Sequence, residues 1–198
     1  MQLFQPSGHY PVERGHVTSD EDLMVEMRNG SRAAFETLFG RYREPIWRFF
    51  RRRASDAGRA EELAQDTFVA VLEGAARYER RGMFRSYLFG IAYNVLLAER
   101  RKAAHRTTDD LAAEPPAGPF ADPDPGIWVR DALRRLDEDD REVLMLREYE
   151  QLSYQEIADL RGAPLNTVRS RLFRARLALK AALELTTPEH ARVRHAGR

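Results

Sequence analysis

No cysteine occurs in the 198 residues of the sequence, which excludes disulfide bonds, thiolate metal sites and a cysteine nucleophile. No apolar run is long enough to span a membrane. Residues 1–16 also lack the charged-then-apolar order of a secretory signal peptide. We therefore expect a cytoplasmic protein with no membrane contact of its own.

Motifs of common catalytic chemistry are missing as well. The sequence has no Gly-rich phosphate loop and no Gly-x-Ser-x-Gly elbow. Its five histidines lie in predicted tails or at a predicted helix end, and none has metal-ligand spacing with acids on one helical face. The acids at 137–140 are explained more simply by a helix N-terminus than by a cation site. We predict a protein that is not an enzyme and that uses no cofactor and no metal.

An excess of one charge sign is also absent, since the formal net charge is only +1. The signs are nevertheless segregated along the chain. Residues 77–106 carry eight basic and two acidic side chains, whereas residues 107–126 carry five acidic and no basic ones. Because a nucleic-acid binder needs clustered rather than total positive charge, this composition permits nucleic-acid binding.

The clearest pattern in the chain is a helix-turn-helix over residues 153–180. Ser153 can cap the first helix, and Glu156 three residues later completes a capping box. Gly162 can take the left-handed conformation that ends many helices. A short helix, a turn with glycine and a basic second helix predict a helix-turn-helix whose second helix enters the major groove of DNA.

The second helix of this motif is strongly basic, with six basic and no acidic residues over 161–180. We expect Asn166 or Thr167 to cap it. Helical spacing predicts an inward stripe of Val168, Leu172, Ala175 and Leu179. The other faces then carry Arg169, Ser170, Phe173, Arg174 and Arg176. Arginine can bond guanine bidentately in the major groove; the alternative is a helical hairpin whose arginines form only a solvated face.

Four helices are predicted in the N-terminal half of the chain, starting near residues 20, 32, 57 and 85. The second contains Pro45, so we expect a kink or a break. The third buries Leu63, Ala64, Phe68, Val71 and Leu72 and exposes an acidic side that is either inert or a docking face for a basic partner helix. In the fourth, Phe89 and Tyr93 lie beside basic residues, as in proteins that stack unpaired bases. For each of these two rings alone, packing in the core is favoured.

A boundary follows these helices. Residues 107–126 contain five prolines, are acidic and show no periodicity, so we expect an extended, partly disordered linker. A helix over 127–136 should turn Trp128, Ala132 and Leu136 inward, and the next helix starts at residues 137–140. The predicted fold is all-α, with two small helical domains on a flexible acidic, proline-rich linker. The predicted boundaries are 1–18 for a flexible N-terminal tail, 19–105 for the first domain, 106–125 for the linker, 126–185 for the second domain and 186–198 for a C-terminal tail.

Two stretches of the chain resemble one family. AEELAQDTFVAVLEGAARYE (60–79) and FRSYLFGIAYNVLLAERRK (84–102) resemble region 2 of bacterial RNA polymerase sigma factors, a helical bundle. REVLMLREYEQLSYQEIADLRGAPLNTVRSRLFRAR (141–176) resembles their region 4, a helix-turn-helix. With no sizeable domain between the two, the chain is similar to the small extracytoplasmic-function group. The resemblance spans about 20–183.

The resemblance implies a sigma factor that binds core RNA polymerase, through the coiled coil of the largest subunit and the flap, and directs it to promoter DNA. It also implies an anti-sigma partner. The docking helix of the family corresponds to Glu61, Glu62, Gln65, Asp66 and Phe68. The part that opens and reads the minus-ten element, with a base flipped into a pocket, corresponds to Arg80, Arg81, Met83, Phe84, Tyr87, Tyr93, Asn94 and Arg101. The helix that reads the minus-thirty-five element corresponds to Asn166, Thr167, Arg169, Ser170, Phe173 and Arg174.

A second function remains open from the residues alone. The chain is alternatively a stand-alone helix-turn-helix regulator with an N-terminal oligomerisation or sensor domain. Such a regulator would need neither a polymerase-docking helix nor a helix that opens DNA strands.

Overall fold

The computed structural model describes residues 18–79, 83–109 and 126–186, and within these ranges all regular structure is helical. The all-α prediction is confirmed. The predicted tails, apart from residues 18 and 186, and most of the predicted linker lie outside these ranges. The helices are α1 (Asp20–Arg28), α2 (Arg32–Arg51), α3 (Ala57–Gly74), α4 (Phe84–Asp109), α5 (Gly126–Arg134), α6 (Glu138–Glu148), α7 (Tyr154–Arg161) and α8 (Leu165–Thr186), with a 3-10 turn (Ala75–Arg77) after α3.

The first helices begin at short polar side chains, which accept hydrogen bonds from backbone N–H groups that have no partner within the helix. Ser19 accepts a hydrogen bond from the N–H of Asp22 at the start of α1, at 3.1 Å. Ser31 caps α2, and Asp56 caps α3 by accepting from the N–H of Arg59 at 2.8 Å. These starts lie where the sequence places them.

Helix α2 continues through Pro45, so of the two predicted outcomes, a kink or a break, the break does not occur. Proline removes one backbone hydrogen bond, but the helix buries side chains on both sides of that position. Tyr42 and Ile46 are in the core, and Phe49 follows one turn later. This packing outweighs the missing bond.

Helices α1 to α4 form an N-terminal module around a core of aromatic rings. Phe49 is 0% exposed and lies against Phe50 and Phe89, with ring centroids 5.0 and 5.8 Å apart. Phe89 and Tyr93 are both buried, which confirms the interpretation of these rings as core. Leu72, expected inside, is exposed, since Val71 takes the buried position in the last turn of α3.

Helices α5 to α8 form a C-terminal module in which α5, α6 and α7 pack around α8. The predicted inward stripe of α8 is buried or half-buried, as expected. Trp128 is 41% exposed, so its predicted burial is wrong. Val129 and Leu133 join Ala132 on the inner side of α5 instead, and Leu136, just after the helix, is buried as predicted.

Two helices are longer than the sequence indicates. Helix α4 ends at Asp109, so residues 106–109 of the predicted linker are helical. Helix α8 extends beyond Lys180 to Thr186. None of the helices within the described parts of the chain is long and apolar enough to cross a bilayer.

The N-terminal and C-terminal modules pack against each other through α4 and α7 and through the loops that follow α2 and α6. Buried residues of both modules belong to one continuous hydrophobic cluster. We call this contact the module interface.

Candidate nucleic-acid and polymerase interfaces

The helix-turn-helix is built as its sequence predicts, from α7 and α8. Ser153 accepts from the N–H of Glu156 at 3.2 Å, and the Glu156 carboxylate accepts from the N–H of Ser153 at 2.6 Å. Gly162 has φ +58°, a left-handed conformation that costs other residues about 1 kcal/mol or more. These local features set the angle at which α8 leaves the turn.

The predicted cap of α8 is wrong in position. The helix begins at Leu165, because the carbonyl of Pro164 already accepts from the N–H groups of Thr167 and Val168 at 2.9 and 3.2 Å. Asn166 and Thr167 therefore lie in the first turn. The side chain of Asn166 accepts from Arg169 at 3.3 Å.

The outward face of α8 is open to solvent within the described chain. Arg169, Ser170 and Arg174 are exposed, and Phe173 is 66% exposed. A large ring and two guanidinium groups on one helix face form a surface that suits base edges and phosphates. The structure brings together the four residues that the sequence assigns to this face.

Three arginines of α8 pair with acids of α6, which the absence of acidic residues over 161–180 does not reveal. Arg174 donates to both carboxylate oxygens of Asp140 at 3.1 and 3.0 Å, and Arg171 lies 3.4 Å from the same carboxylate. Arg176 pairs with Glu148 at 2.8 Å. The acids of α6 therefore hold α8 in place, in addition to starting their own helix.

We expect Asp140→Asn to lower the free energy of unfolding by about 1.5–3 kcal/mol, the range for hydrogen bonds to charged groups. The buried Asp140 carboxylate accepts hydrogen bonds from two arginines. The neutral amide of asparagine cannot make charge-assisted hydrogen bonds to both. Urea denaturation measures the change. Glu148→Gln is the matched control, because its pair with Arg176 is exposed and is worth at most about 1 kcal/mol. Equal losses in both variants would contradict the assignment.

Stability is also expected to fall below about pH 4, where aspartates protonate in the unfolded chain. The hydrogen bond from Arg161 holds the pKa of Asp139 below its ordinary value, aided by the charge of Arg171. A pKa depressed by folding gives stability that is present above the unfolded pKa and is lost as the pH falls through the folded one. Urea denaturation at pH values from 3 to 7 measures the free energy of unfolding against pH. In Asp139→Asn, this free energy should depend less on pH.

Helix α3 presents the predicted acidic face. Glu61, Glu62, Gln65 and Asp66 are exposed. Phe68, assigned to the same surface, is buried instead and packs edge-to-face on Phe39 at 4.8 Å. Helical spacing predicts this burial, so the prediction is confirmed, and the ring supports the helix from behind instead of lying on the acidic face.

Two apolar side chains that were not predicted to be exposed also lie on this face. Val69 is 51% exposed, and Leu72 is exposed beside it one turn further along α3. They follow Asp66 at helical spacing, so an acidic surface carries an apolar centre, which is a common arrangement of protein interfaces. The signal was present in the sequence, but Leu72 was assigned to the core.

The residues assigned to the minus-ten element are spread over several environments. Met83, Asn94 and Arg101 are exposed, and Tyr87 is half-buried. Phe84 and Tyr93 are buried in the core of the N-terminal module. Arg80 and Arg81 lie outside the described residues.

The start of α4 is fixed by contacts from neighbouring helices. The N–H of Phe84 donates to Glu21 at 2.9 Å, and its ring lies edge-on to Tyr42 at 5.4 Å. A Cβ atom on Gly74 would lie 2.8 Å from the Tyr87 hydroxyl, so the glycine leaves room for that ring. Phe84 thus positions its exposed neighbour Met83.

Asn94 lines a cavity of about 410 Å³ at the module interface, together with Ser86 and Gly90 of α4. Its opposite wall consists of Leu152, Glu156, Asp159 and Leu160. The C-terminal module therefore approaches the part of α4 that carries Asn94, although Asn94 itself remains exposed.

A helix-turn-helix with an open basic face, in one chain with a helical module that exposes an acidic helix, defines a DNA-binding transcription protein. The signature described as Sigma-70 region 2 matches residues 38–106, and that described as Sigma-70, region 4 matches residues 127–179. The chain belongs to the bacterial RNA polymerase sigma factors, in their extracytoplasmic-function group, and directs polymerase to promoters. The stand-alone regulator is overturned by the region 2 match.

Relatives agree with this assignment, and a solved structure shares the fold. The chain is 34% identical over 166 residues to the RNA polymerase sigma factor CarQ of Myxococcus xanthus, which covers 81% of this chain and 95% of CarQ. It is 31% identical over 170 residues to the ECF RNA polymerase sigma factor SigC of Mycobacterium tuberculosis, at 82% and 90% coverage. The structure of the sigma factor RpoE from Bartonella quintana has the same fold, with a TM-score of 0.63, 24% identity and coverage of 77% of this chain and 98% of that one.

Proposed function

We propose that the two modules divide promoter recognition, with the C-terminal module reading the duplex of the minus-thirty-five element. Arg169 and Arg174 donate to base edges or phosphates, Ser170 donates to phosphate, and Phe173 makes apolar contacts in the groove. The observation that carries this proposal is the solvent-facing position of all four on α8. Both Arg171 and Arg174 pair with α6: Arg171, whose side chain is mostly covered, holds the helix, whereas the largely exposed Arg174 exchanges Asp140 for DNA.

The N-terminal module opens and reads the minus-ten element. Met83 stands exposed at the start of α4, and Tyr87 and Asn94 follow along the helix. Such side chains can hold a base that has left the stack, which offsets an unstacking cost of a few kcal/mol. The buried Phe84 and Tyr93 keep the helix in place, and exposed Arg101 neutralises phosphate.

The acidic face of α3 docks on the coiled coil of the largest polymerase subunit. Glu61, Glu62, Gln65 and Asp66 supply the charge, and Val69 supplies an apolar centre. The C-terminal module contacts the flap, and the acidic segment 110–125 enters polymerase channels otherwise used by RNA. The protein acts without catalysis of its own, in the cytoplasm, where promoter DNA and polymerase are found.

An anti-sigma factor restrains the protein. RpoE of Bartonella quintana is described in complex with the anti-sigma factor NepR, and this chain shares that fold. The exposed apolar side chains on both modules, Val69 and Phe173 among them, offer such a partner a surface.

We expect Asp66→Lys to weaken binding to core polymerase by about tenfold or more, because a charge reversal at an interface costs more than a lost contact. Titration of labelled protein with core polymerase measures the dissociation constant. Glu73→Lys makes the same charge change one turn beyond Val69, at the end of α3, and should have a smaller effect. Unchanged affinity of Asp66→Lys would refute the docking face.

A further inference from the structure

Helix α4 begins at a residue that is a poor helix cap. Met83 occupies the position before the helix, which serine or aspartate holds at α1, α2, α3, α6 and α7. Its carbonyl starts the helix by accepting from the N–H groups of Ser86 and Tyr87 at 3.0 and 3.3 Å. Its thioether, however, is only a weak acceptor for the N–H groups of the first turn, which have no partner within the helix. A good acceptor for these groups has to come from another residue.

Helix α1 supplies that acceptor. The carboxylate of Glu21 accepts a hydrogen bond from the N–H of Phe84, the first residue of α4, at 2.9 Å. The two residues are 63 positions apart in the chain. A negative charge at this place also suits the positive end of the helix dipole. Glu21 therefore caps α4 from a different helix.

The end of α1 that carries Glu21 is itself anchored. Its neighbour Asp20 pairs with Arg41 of α2 and accepts from the hydroxyl of Tyr42. The ring of Tyr42 in turn lies edge-on to that of Phe84, with centroids 5.4 Å apart. The cap and the aromatic core thus hold the start of α4 from two directions.

This arrangement fixes a residue assigned to promoter DNA. Phe84 is 1% exposed, whereas the adjoining Met83 is 65% exposed. Because the backbone at Phe84 is held by the cap and its ring by the core, the direction of the Met83 side chain is set. A thioether makes favourable contacts with aromatic rings, and a base outside the stack presents such a ring. The region 2 match begins at residue 38, so it leaves α1 outside.

We propose that Glu21 is a positioning residue for recognition of the minus-ten element: by capping α4 from α1, it holds Met83 where that side chain contacts an unstacked base. The position that would normally carry a cap is thereby left to a side chain that touches DNA. The inference rests on the proposed function, which assigns Met83 to the minus-ten element.

Two substitutions of Glu21 isolate the cap. Glu21→Met and Glu21→Gln both remove the charge and keep the length of the side chain, but only Glu21→Gln retains an oxygen that can accept from the N–H of Phe84. Run-off transcription with core polymerase is measured on a promoter selected with the wild type and on versions with each minus-ten base changed in turn. The readout is selectivity, the ratio of initiation on the selected promoter to that on each changed one.

Glu21→Met should lower selectivity by about fivefold at the base that Met83 contacts, the factor that corresponds to the loss of one helix cap. Glu21→Gln should stay within about twofold of the wild type, since it loses only the interaction of the charge with the helix dipole. Asp22→Asn is the matched control, because it removes a charge from the same turn of α1 at an exposed position, and it should leave selectivity unchanged.

A double-variant comparison shows whether Glu21 acts through Met83. Met83→Ala should lower selectivity at the same base, and Glu21→Met/Met83→Ala should be no less selective than Met83→Ala alone, because the cap has no further contact to position. Affinity for core polymerase should be unchanged in all variants. Circular dichroism confirms the helix content, and Glu21→Ala replaces Glu21→Met if that variant fails to fold.

Wild-type selectivity of folded Glu21→Met, together with loss of selectivity in Met83→Ala, would refute this inference and leave the proposed function intact. An equal loss of initiation on every promoter would also refute it, because that result indicates a role in stability alone. So would a loss in Glu21→Gln as large as that in Glu21→Met. Wild-type selectivity of Met83→Ala would refute the assignment of Met83 to the minus-ten element, and this inference with it.

Discussion

Replacing Phe49 with alanine is expected to lower the free energy of unfolding by about 3–5 kcal/mol, the range for large aromatic side chains deleted from a core. The ring is fully buried and touches Phe50 and Phe89. The guanidinium of Arg53 also lies 3.9 Å from its centroid. The substitution therefore leaves a cavity in the N-terminal module and removes support from the module interface.

Thermal and urea denaturation followed by circular dichroism measure this loss. Phe173→Ala is the matched control, because the same substitution on a largely exposed ring should change stability by less than about 0.5 kcal/mol. Since domains of this kind are stable by about 5–15 kcal/mol, the Phe49 variant should lose a large share of its stability. Similar stability of both variants would show that the aromatic core is placed wrongly.

The double substitution Arg169→Ala/Phe173→Ala is expected to reduce initiation at a promoter with a minus-thirty-five element by about tenfold to a hundredfold. A bidentate contact to a base is worth about 1–3 kcal/mol, and the ring adds apolar contact in the groove. Neither side chain contributes to the core, so the protein should remain folded. The loss of initiation should therefore come from weaker DNA recognition and not from a less stable fold.

Run-off transcription with reconstituted polymerase, on a promoter selected with the wild-type protein, measures this change. Arg176→Ala is the control on the same helix, because its guanidinium pairs with Glu148, and it should reduce initiation by less than about threefold. Core polymerase affinity should be unchanged in both. Wild-type promoter use by the double variant would exclude α8 as the reading helix.

Local chemistry made much of the fold predictable. Ser153 with Glu156, Gly162 at φ +58° and the caps Ser31 and Asp56 act within a few residues of each other, so their sequence spacing is sufficient to place them. Helical periodicity likewise identified the inward stripe of α8. Each of these signals is complete within one or two turns of helix.

Contacts between distant residues were not predictable in the same way. Asp140 and Arg174 are 34 residues apart, and their pairing changes an apparently free basic helix into one that α6 holds in place. The pairing of Arg53 with Glu150 spans 97 residues and depends on how two modules meet. The predicted burial of Trp128 and Leu72 was wrong for a more local reason. A broad apolar stripe does not show which of two adjacent apolar residues lies inside.

We expect this protein to initiate transcription only together with core polymerase. Run-off transcription on a promoter template with core polymerase, this protein or both tests it most directly. We predict a defined transcript only when both are present, with loss of the transcript in Asp66→Lys at limiting concentrations. Tight footprinting of DNA by the protein alone, with no effect of core polymerase on its position or its transcript, would contradict the account.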